Sequence, residues 1–380
     1  MRVLQVVAYV TSFYGGPSAA VRAIARAVSG QGVEVDVVTT TAAGESDIEI
    51  GNGEFQKEDG GMFRYFKRDF PTRWFHSSAM DKWLERHVAE YDVLHLHVPF
   101  THSFGLGARH ARRVGRPYIV TTHGVLDPWS LDRKFWRKRA YLALRERWNL
   151  SGATLLHATS SFEADFVKKH QLWPPVRVLP LPVEPPSVWT AEKSTAPLRV
   201  LFLSRLHPVK AVPLLLEAVA TVRGQGLDLV LDIAGEGEAD YVNFLKDQAL
   251  RLGIAGSVRW HGQVDPAKRA QLLSEVHVFA LLSLHENFSL ATAEALAAGV
   301  PVVLSRQIGI AADVEGYGAG IIIANDSPVE AGQAFVKLND LAVRRKYGLA
   351  GRKLAVEKYN ASDFAMGLKR FYEEAIALSS

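Results

Sequence analysis

The chain has 380 residues, which favours two domains at about 150 residues each. Hydrophobic residues make up 48% and charged residues 22%, so the composition excludes wholesale disorder and indicates a folded globular protein. The 44 Lys and Arg residues against 40 Asp and Glu leave a net charge of +4, too small for a general polyanion binder. The absence of cysteine excludes disulfides, thiol nucleophiles and cysteine-ligated metal sites, and it is compatible with a reducing cytoplasm.

Short apolar runs, such as residues 300–304, fall well below the roughly 18 residues that span a bilayer. The opening MRVLQVVAYV predicts a first β-strand instead of a signal peptide, because Gln5 interrupts the run and no A-x-A-like site follows. We therefore expect a soluble or peripheral protein in the cytoplasm.

The first half of the chain alternates between strand and helix patterns. After the first strand come a loop with Gly15 and Gly16, a helix over 18–29 and a strand over 33–40, which together make a βαβ unit. The alternation continues with strands over 92–98, 117–122 and 153–158 and helices over 103–113 and 131–148. Such runs predict a parallel sheet with helices on both faces.

Residues 180–197 contain five prolines and no sustained period, as in an interdomain linker. We predict domains over 1–185 and 198–363, joined by a linker over 186–197, and a final helix over 364–377. The second domain is expected to contain strands over 199–204, 229–234, 257–261, 276–282 and 300–305 and helices over 212–223, 239–252, 266–274 and 290–298. Both domains would be doubly wound α/β folds, with a ligand in the cleft between them.

Residues 285–294 read HENFSLATAE, with Glu286 near the start and Glu294 at the end. This stretch follows one predicted strand and begins a predicted helix. Ser289 is a candidate N-cap, so main-chain N–H groups would be unpaired at the positive end of the helix dipole. We expect an anion-binding site there, formed by Asn287, Phe288, Ser289 and Leu290. Isolated glutamates at this spacing are usually solvated charges, but these two flank a turn that can hold a diphosphate.

A basic pair, Arg205 and Lys210, follows the first strand of the second domain directly. Taken alone, these residues would read as ordinary surface charge. Near a helix N-terminus, a guanidinium and an ammonium can neutralise a diphosphate through charged hydrogen bonds of about 1.5 to 3 kcal/mol each.

With these residues the sequence resembles family 4 of the retaining glycosyltransferases, over most of the chain. The motifs that carry the resemblance stand here as Gly15-Gly16-Pro17, Thr122-His123-Gly124, Ser160 with Glu163, Arg205 with Lys210, and Glu286 through Glu294. The resemblance implies the GT-B architecture, two facing Rossmann-like domains. It also implies that the first domain, with the final helix packed back on it, binds the acceptor, and that the second binds a nucleotide-sugar.

By this resemblance Arg205 and Lys210 bind the donor diphosphate, Glu286 contacts the sugar and Glu294 holds the ribose. His123 would lie near the C6 hydroxyl of the sugar, where the alternative is a structural histidine at a strand end. Gly16 and its neighbour Gly15 would allow close approach of the main chain to the ligand, or would only form a turn. Gly235 resembles a residue of the family's nucleotide-side loop.

Two positions depart from the family pattern, because Ala211 and Ser289 stand where glycine is common. An Asn-Gly turn often found at the end of the first domain is replaced by residues 179–183, LPLPV. No Asp-x-Asp sequence flanked by apolar residues is present, so we expect no metal ion, and cationic side chains with a helix terminus would replace it.

Other motifs are absent or weak. The sequence contains no P-loop, and the first glycine loop lacks the G-x-G-x-x-G pattern of dinucleotide dehydrogenases. His95 and His97 alternate on one strand face without a third ligand, which disfavours a metal site.

Basic and aromatic residues cluster in residues 63–75 and 132–148. The second cluster contains Arg133, Lys134, Arg137, Lys138, Arg139, Arg145 and Arg147. Docking on an anionic membrane that carries a lipid-linked acceptor is one interpretation, and a solvated helix face with core aromatics is the other. Residues 1–195 hold 25 basic and 20 acidic side chains against 19 and 20 in the remainder, which favours docking slightly.

The sequence thus predicts a metal-independent, retaining glycosyltransferase of polysaccharide assembly. It would move a sugar, from a UDP-sugar by general frequency in the family, to a saccharide or lipid-linked saccharide, with no nucleic acid involved. The alternatives are a nucleotide-sugar epimerase or hydrolase of the same fold and a non-catalytic nucleotide-sugar or polysaccharide binding subunit.

Overall fold

The structure is a computed structural model that describes residues 1–44, 46–49, 54–70, 72–127, 145–185, 197–324 and 327–379 and, of Arg73, only the backbone. Most of the predicted helix over 131–148 and of the linker over 186–197 lies outside the described residues. The same holds for Arg133, Lys134, Arg137, Lys138 and Arg139 of the basic cluster. The chain forms two units, residues 1–182 with 361–380 and residues 183–360.

Eight of the described strands of the first unit form one sheet, with the order β10-β9-β8-β7-β1-β2-β6-β5. Neighbours pair in parallel except β5 and β6, which form an antiparallel hairpin. The strands of the unit are β1 Arg2–Val6, β2 Glu34–Thr40, β3 Ala42–Ala43, β4 Ser46–Asp47, β5 Phe55–Glu58, β6 Gly61–Phe66, β7 Val93–His97, β8 Tyr118–Thr121, β9 Leu155–Ala158 and β10 Val176–Val178. Its helices are α1 Gly16–Ser29, α2 Ser78–His87, α3 His102–Arg113, α4 Arg147–Ser151 and α5 Ser161–Lys169.

The second unit contains a six-stranded parallel sheet with the order β13-β12-β11-β14-β15-β16. Its strands are β11 Leu198–Leu203, β12 Leu229–Ala234, β13 Val258–Gly262, β14 Val278–Leu281, β15 Val302–Ser305 and β16 Gly320–Ile323. Its helices are α6 Val212–Gly224, α7 Ala239–Arg251, α8 Pro266–Glu275, α9 Leu290–Ala297, α10 Ala311–Tyr317, α11 Pro328–Leu338 and α12 Leu341–Lys358. The central strands of both sheets are buried on both faces, as their continuous apolar runs predict, and the α/β class is confirmed.

The boundaries of the units differ from the predicted ones by a few residues. Val183 was placed in the first domain, but its N–H donates to the carbonyl of Tyr359 at 2.8 Å, which ties it to the second unit. Residues 361–363 were placed in the second domain. They begin the last helix, α13 Ala361–Ala377, which belongs to the first unit and packs on α1, β7 and β8.

For the aromatic segment 63–75, membrane docking and core packing were the two interpretations, and its first part is sheet core. Phe63, Tyr65 and Phe66 are at most 3% exposed in β6, since this strand lies inside the sheet beside β2. The buried Arg68 side chain pairs with Asp47 at 2.8 Å. Phe70 and Trp74, which follow the strand, are 93% and 57% exposed. The core alternative therefore holds for the strand, and the exposed aromatic residues of the segment lie after it.

The last helix is fixed to the sheet by a buried hydrogen bond. The Tyr372 hydroxyl lies 2.9 Å from Nδ1 of His95, whose Nε2 lies 2.7 Å from the Thr121 hydroxyl. On the exposed side of the same helix, Glu374 pairs with Arg177 at 2.7 Å. A helix that is remote in sequence thus completes the polar interior of the first unit.

We predict that Tyr372→Phe lowers the free energy of unfolding of the first unit by about 1 to 3 kcal/mol, because it leaves a buried imidazole nitrogen unpaired. Arg177→Ala removes the exposed pair of the same helix and is expected to cost no more than about 1 kcal/mol. Urea denaturation followed by far-UV circular dichroism compares the two variants. Equal losses would contradict the importance of the buried bond.

Candidate functional site

The basic loop after β11 is held along the end of β12 by main-chain contacts. Ser204 N–H donates to the Ala234 carbonyl at 3.1 Å, and Leu206 N–H donates to the Glu236 carbonyl at 2.7 Å. The loop then makes a short 3-10 turn that ends at Lys210, which is only 9% exposed. The structure therefore places one cation of the predicted pair inside the protein, at the carboxyl edge of the sheet.

Gly235 has a structural reason to be glycine. Its φ is +141°, and a Cβ atom built on it would lie 1.9 Å from the carbonyl oxygen of Ser204. Its own N–H donates to the Gly262 carbonyl at 2.7 Å. This residue lets the basic loop lie directly on the neighbouring strand end, and any side chain there would displace the loop.

The two positions where the sequence departs from the family's glycines both have left-handed backbone. Ala211 has φ 49° and is the N-cap of α6, and Ser289 has φ 74° and is the N-cap of α9. Glycine is favoured at positive φ because it has no Cβ penalty, which accounts for the residue common in the family. The Ser289 hydroxyl accepts from the Thr292 N–H at 3.3 Å, so the predicted N-cap is observed.

The basic loop and the loop before α9 are joined directly. Leu284 N–H donates to the Val209 carbonyl at 2.8 Å, and the Lys210 ammonium forms an ion pair with the Glu286 carboxylate. The main chain of Glu286 is fixed in turn, because its carbonyl accepts from the Gly309 N–H at 2.8 Å. Lys210, predicted to bind the diphosphate, and Glu286, predicted to bind the sugar, thus contact each other beside the first turn of α9.

The other predicted residues of the second unit lie in distinct environments. Glu294, predicted to bind ribose, is paired with Arg269 of α8 at 3.1 Å. Phe288 was included among the donor-binding residues, but its side chain is 3% exposed and packs on the Tyr359 ring at 5.5 Å. Its side chain anchors the loop, and only its main chain remains for ligand binding. Arg205 is exposed and has no ion-pair partner among the described residues.

Asn287, Ser289 and Leu290 of the predicted anion site are half-buried around the start of α9. The N–H groups of a helix's first turn have no intrahelical acceptor and point along the positive end of its dipole. With the Lys210 ammonium on the adjoining loop, the described residues bring a buried cation and a helix N-terminus to one edge of the sheet. This combination can bind an anion with two or more phosphate oxygens.

In the first unit, His123 lies in a tight turn after β8. The Val125 N–H donates to the Thr122 carbonyl at 3.3 Å, and φ is 51° at His123 and 73° at Gly124. Positive φ at both central residues is the pattern of a type I′ turn, which explains the glycine that follows the histidine. The buried Glu163 carboxylate accepts from the Gly124 N–H at 2.7 Å, so this landmark of the sequence pattern lies against the turn.

The imidazole of His123 is connected to two polar side chains of the sheet. Its Nε2 lies 3.1 Å from Nδ1 of His97, and Nε2 of His97 lies 3.1 Å from the amide oxygen of Gln5. With the amide oriented in this way, His97 donates to Gln5 and accepts from Nε2–H of His123. Neutral His123 then carries its proton on Nε2, which leaves Nδ1 as the hydrogen-bond acceptor.

Burial keeps these histidines neutral. It lowers the pKa of His123 to about 4, although the Glu163 carboxylate acts in the opposite direction. Burial and the neighbouring imidazoles also lower the pKa of His97 and His95 well below the usual value. Sequence reasoning missed two features here, the contact of Gln5 with His97 and the role of Glu163. Both depend on residues that are distant in sequence and close only in the folded structure.

The glycine loop of the first unit lies at the start of α1. Gly15 has φ 70° and ψ −127°, a conformation that strongly favours glycine. Gly16 is the first residue of the helix, and a Cβ atom built on it would have no other atom within 4 Å. Tyr9 and Tyr14 stack beside this loop with ring centroids 3.9 Å apart. The main chain of the loop is therefore accessible, as a close-approach role requires.

Two broader features concern metal ions and membranes. Within the described residues, no cluster of three or more His, Asp or Glu side chains is arranged to hold a metal ion. In the same part of the chain, no helix is both long enough and apolar enough to cross a bilayer.

Comparisons with known proteins match both halves of the chain to glycosyltransferases. Residues 15–184 match the model of the glycosyl transferase 4-like domain, and residues 189–354 match that of glycosyl transferases group 1. The chain belongs to family 4 of the GT-B glycosyltransferases. The predicted family and glycosyltransferase activity are thereby confirmed, and the likeness to solved structures confirms the fold.

Individual relatives are similar over most of the chain. A phosphatidyl-myo-inositol mannosyltransferase of Mycobacterium leprae is 28% identical over 316 residues, which cover 78% of this chain and 76% of the relative. Among solved structures, sucrose-phosphate synthase from Thermosynechococcus elongatus has a TM-score of 0.82 at 18% identity and 99% coverage of both chains. HepE of Anabaena, solved in complex with UDP-glucose, has a TM-score of 0.76 at 18% identity and covers 98% of this chain and 99% of its own.

For this glycosyltransferase we predict that Gly235→Ala weakens binding of inorganic pyrophosphate, a probe of the anion site, about 10-fold or more while the protein stays folded, since a Cβ forces the basic loop away from β12. Gly226→Ala is the matched control, because Gly226 also has positive φ but no atom within 4 Å of a built Cβ. Isothermal titration calorimetry measures the affinity. Equal affinities of the two variants would contradict the role of the close contact.

The pH dependence of the protein's stability follows in part from the low pKa of His123. Its value of about 4 lies below the unfolded value of 6.5, so stability from this group is fully present above pH 6.5 and is lost as the pH falls towards 4. The steepest loss is about 1.4 kcal/mol per pH unit for each such histidine. We expect NMR titration of the glycosyltransferase to show neutral His123 down to about pH 5. A midpoint near 6.5 would contradict this assignment.

Proposed function

We propose that the protein is a retaining, metal-independent glycosyltransferase that uses a UDP-sugar donor and a saccharide or lipid-linked saccharide acceptor in polysaccharide biosynthesis. The observation that supports it most is the meeting of the buried Lys210 ammonium, the Glu286 carboxylate and the first turn of α9. A cation and a helix N-terminus stabilise the negative charge that a departing diphosphate develops. Metal ions perform the same task in other glycosyltransferases, and here protein groups would replace them.

The role of Lys210 follows from the donors of its ammonium group. An ammonium has three N–H donors, so it can keep its ion pair with Glu286 while donating to a phosphate oxygen. Glu286 would then hold Lys210 in place and offer its second oxygen to a hydroxyl of the sugar. Arg205, which is exposed, would add a second charged hydrogen bond to the diphosphate.

The choice of donor and acceptor rests on the relatives. The UDP-glucose complex of HepE supports a UDP-sugar, and the name of the mannosyltransferase supports an acceptor with hydroxyl groups on a lipid-linked polyol or saccharide. Glu294, with Arg269 beside it, would bind the ribose. The protein would act in the cytoplasm, with the exposed Phe70 and Trp74 available for peripheral contact with an anionic membrane.

Retention of configuration follows from same-face attack in this proposal. The bond from the sugar C1 to the diphosphate oxygen breaks, the acceptor oxygen bonds to C1 on the same face, and the leaving oxygen takes the acceptor's proton. His123 would contact the sugar through Nδ1, the nitrogen left free to accept by its bond to His97. Gly16 would let the main chain approach the ligand without a steric clash.

We predict that Lys210→Ala weakens UDP binding roughly 10- to 150-fold, since one charged hydrogen bond is lost. It should also abolish transfer, because the unpaired Glu286 would then repel the leaving diphosphate. Lys353→Ala, at a solvated pair on α12, serves as the control and should bind UDP as the wild type does. Calorimetry with UDP measures the affinity.

The same calorimetry, with UDP, GDP and UDP-glucose in the presence of EDTA, tests the proposal as a whole. Binding of UDP and UDP-glucose that EDTA leaves unchanged would support it, and dependence on a divalent ion would refute metal independence. Product analysis by NMR then follows the anomeric carbon. Sugar consumed without any acceptor would indicate an epimerase or hydrolase, and an inverted product would refute retention.

A further inference from the structure

Glu163 is a buried carboxylate that connects two loops of the first unit. It is 2% exposed and lies in the first turn of α5. One oxygen accepts from the Gly124 N–H at 2.7 Å and from the Thr122 hydroxyl. The other accepts from the Thr159 N–H at 2.7 Å and from the Thr159 hydroxyl at 2.9 Å. Four hydrogen bonds thus fix the turn after β8 to the turn after β9.

Helix capping accounts for only part of this arrangement. The N-cap of α5 is Ser160, whose hydroxyl accepts from the Glu163 N–H at 3.1 Å. The Thr159 N–H and hydroxyl donate to the Glu163 carboxylate just before this N-cap, so these two bonds belong to the start of the same helix. The bonds to Thr122 and Gly124 do not serve α5, because these residues belong to the turn after β8.

The residue between those two partners is His123. Its φ of 51° lies in the left-handed region, which a residue with a Cβ adopts only when its surroundings hold it there. Glu163 bonds to the residue on each side of it, and His97 bonds to its ring. Backbone and imidazole are therefore fixed by separate groups, and Glu163 fixes the backbone together with the bond from the Val125 N–H to the Thr122 carbonyl.

We propose that Glu163 is a positioning residue, which holds the turn of His123 so that the imidazole meets the sugar of the donor. This inference rests on the proposed function, because the sugar contact of His123 is part of it. Glu163 itself touches no substrate in this assignment. Its negative charge also favours protonation of His123 and so partly offsets the effect of burial.

Glu163→Gln tests the proposal, because the amide keeps the size of the side chain but places an N–H₂ group against donors that need an acceptor. Ser160→Ala is the matched control, since it removes the cap of the same helix and leaves the carboxylate bonds in place. If Glu163→Gln fails to fold, Thr122→Val carries the test, because it removes one donor and retains the carboxylate.

The first measurement is the NMR signal of the His123 imidazole nitrogens in the full chain without ligand. We expect these signals to move or broaden in Glu163→Gln and to stay unchanged in Ser160→Ala, with His102 as an internal reference in both. Signals of His123 that coincide with those of the wild type in Glu163→Gln would overturn the proposal. This readout does not depend on any activity.

The second measurement is the affinity for UDP-glucose relative to that for UDP, by calorimetry. Loss of one neutral hydrogen bond to the sugar should weaken UDP-glucose binding roughly 2- to 10-fold in His123→Ala, with UDP unchanged. Glu163→Gln should give the same selective loss. The variant with both Glu163→Gln and His123→Ala should bind UDP-glucose no more weakly than His123→Ala alone. Additive losses would overturn the proposal, because Glu163 would then act independently of His123.

The outcomes separate this inference from the proposed function. If His123→Ala binds UDP-glucose as the wild type does, the sugar contact of His123 is refuted, whatever Glu163 does to the turn. If His123→Ala shows the loss and Glu163→Gln does not, the sugar contact stands and the positioning role of Glu163 is refuted.

Discussion

Left-handed backbone at the carboxyl ends of the strands is the constraint on which the candidate site depends. Ala211 and Ser289 take it at the N-caps of two helices of the second unit, and His123 takes it in the turn after β8. A residue with a Cβ is disfavoured there, so each of these positions must be held by contacts around it. The contacts are main-chain hydrogen bonds, a buried ion pair and a buried carboxylate, and they place the groups assigned to the donor at the strand ends.

The ion pair between Lys210 and Glu286 makes the less exposed part of the site nearly neutral before a ligand binds. A lone buried ammonium would carry a large desolvation penalty, whereas a paired one is already compensated. The exposed Arg205 carries no such penalty and stays hydrated. A diphosphate would therefore meet one fixed cation and one adaptable cation, which suits a ligand whose charge grows as the leaving group departs.

Local patterns predicted the elements well because each pattern lies within a few residues. The strand Leu229–Ala234 was predicted with the observed bounds, and Ser289 was predicted as the cap that the structure shows. The hairpin of β5 and β6 was missed, although Asp59-Gly60 between the two strands is a hairpin-turn signal and burial in β6 largely alternates. The guanidinium carbon of Arg64 in β6 lies 5.4 Å from the ring centroids of both Phe55 and Trp83. No local sequence rule reveals these contacts.

The site was predicted as a set of residues but not as a set of contacts. Sequence spacing does not show that Lys210 meets Glu286 or that Glu294 meets Arg269, because these pairs join different loops and helices. The burial of Phe288 against Tyr359 depends in the same way on a residue far along the chain. Resemblance to a family indicates which residues of the chain belong to the site. Only the packed structure shows which neighbouring residues hold their side chains in place.

The discontinuous first unit has a consequence for biosynthesis. Its sheet and the helix Ala361–Ala377 are separated along the chain by the entire second unit. Until that helix leaves the ribosome, His95 lacks the Tyr372 hydroxyl and the surface that α13 covers stays open to solvent. The second unit, continuous in sequence, can reach its native state earlier, so the amino-terminal half is the last to be completed and the one for which a chaperone has the longest opportunity to bind.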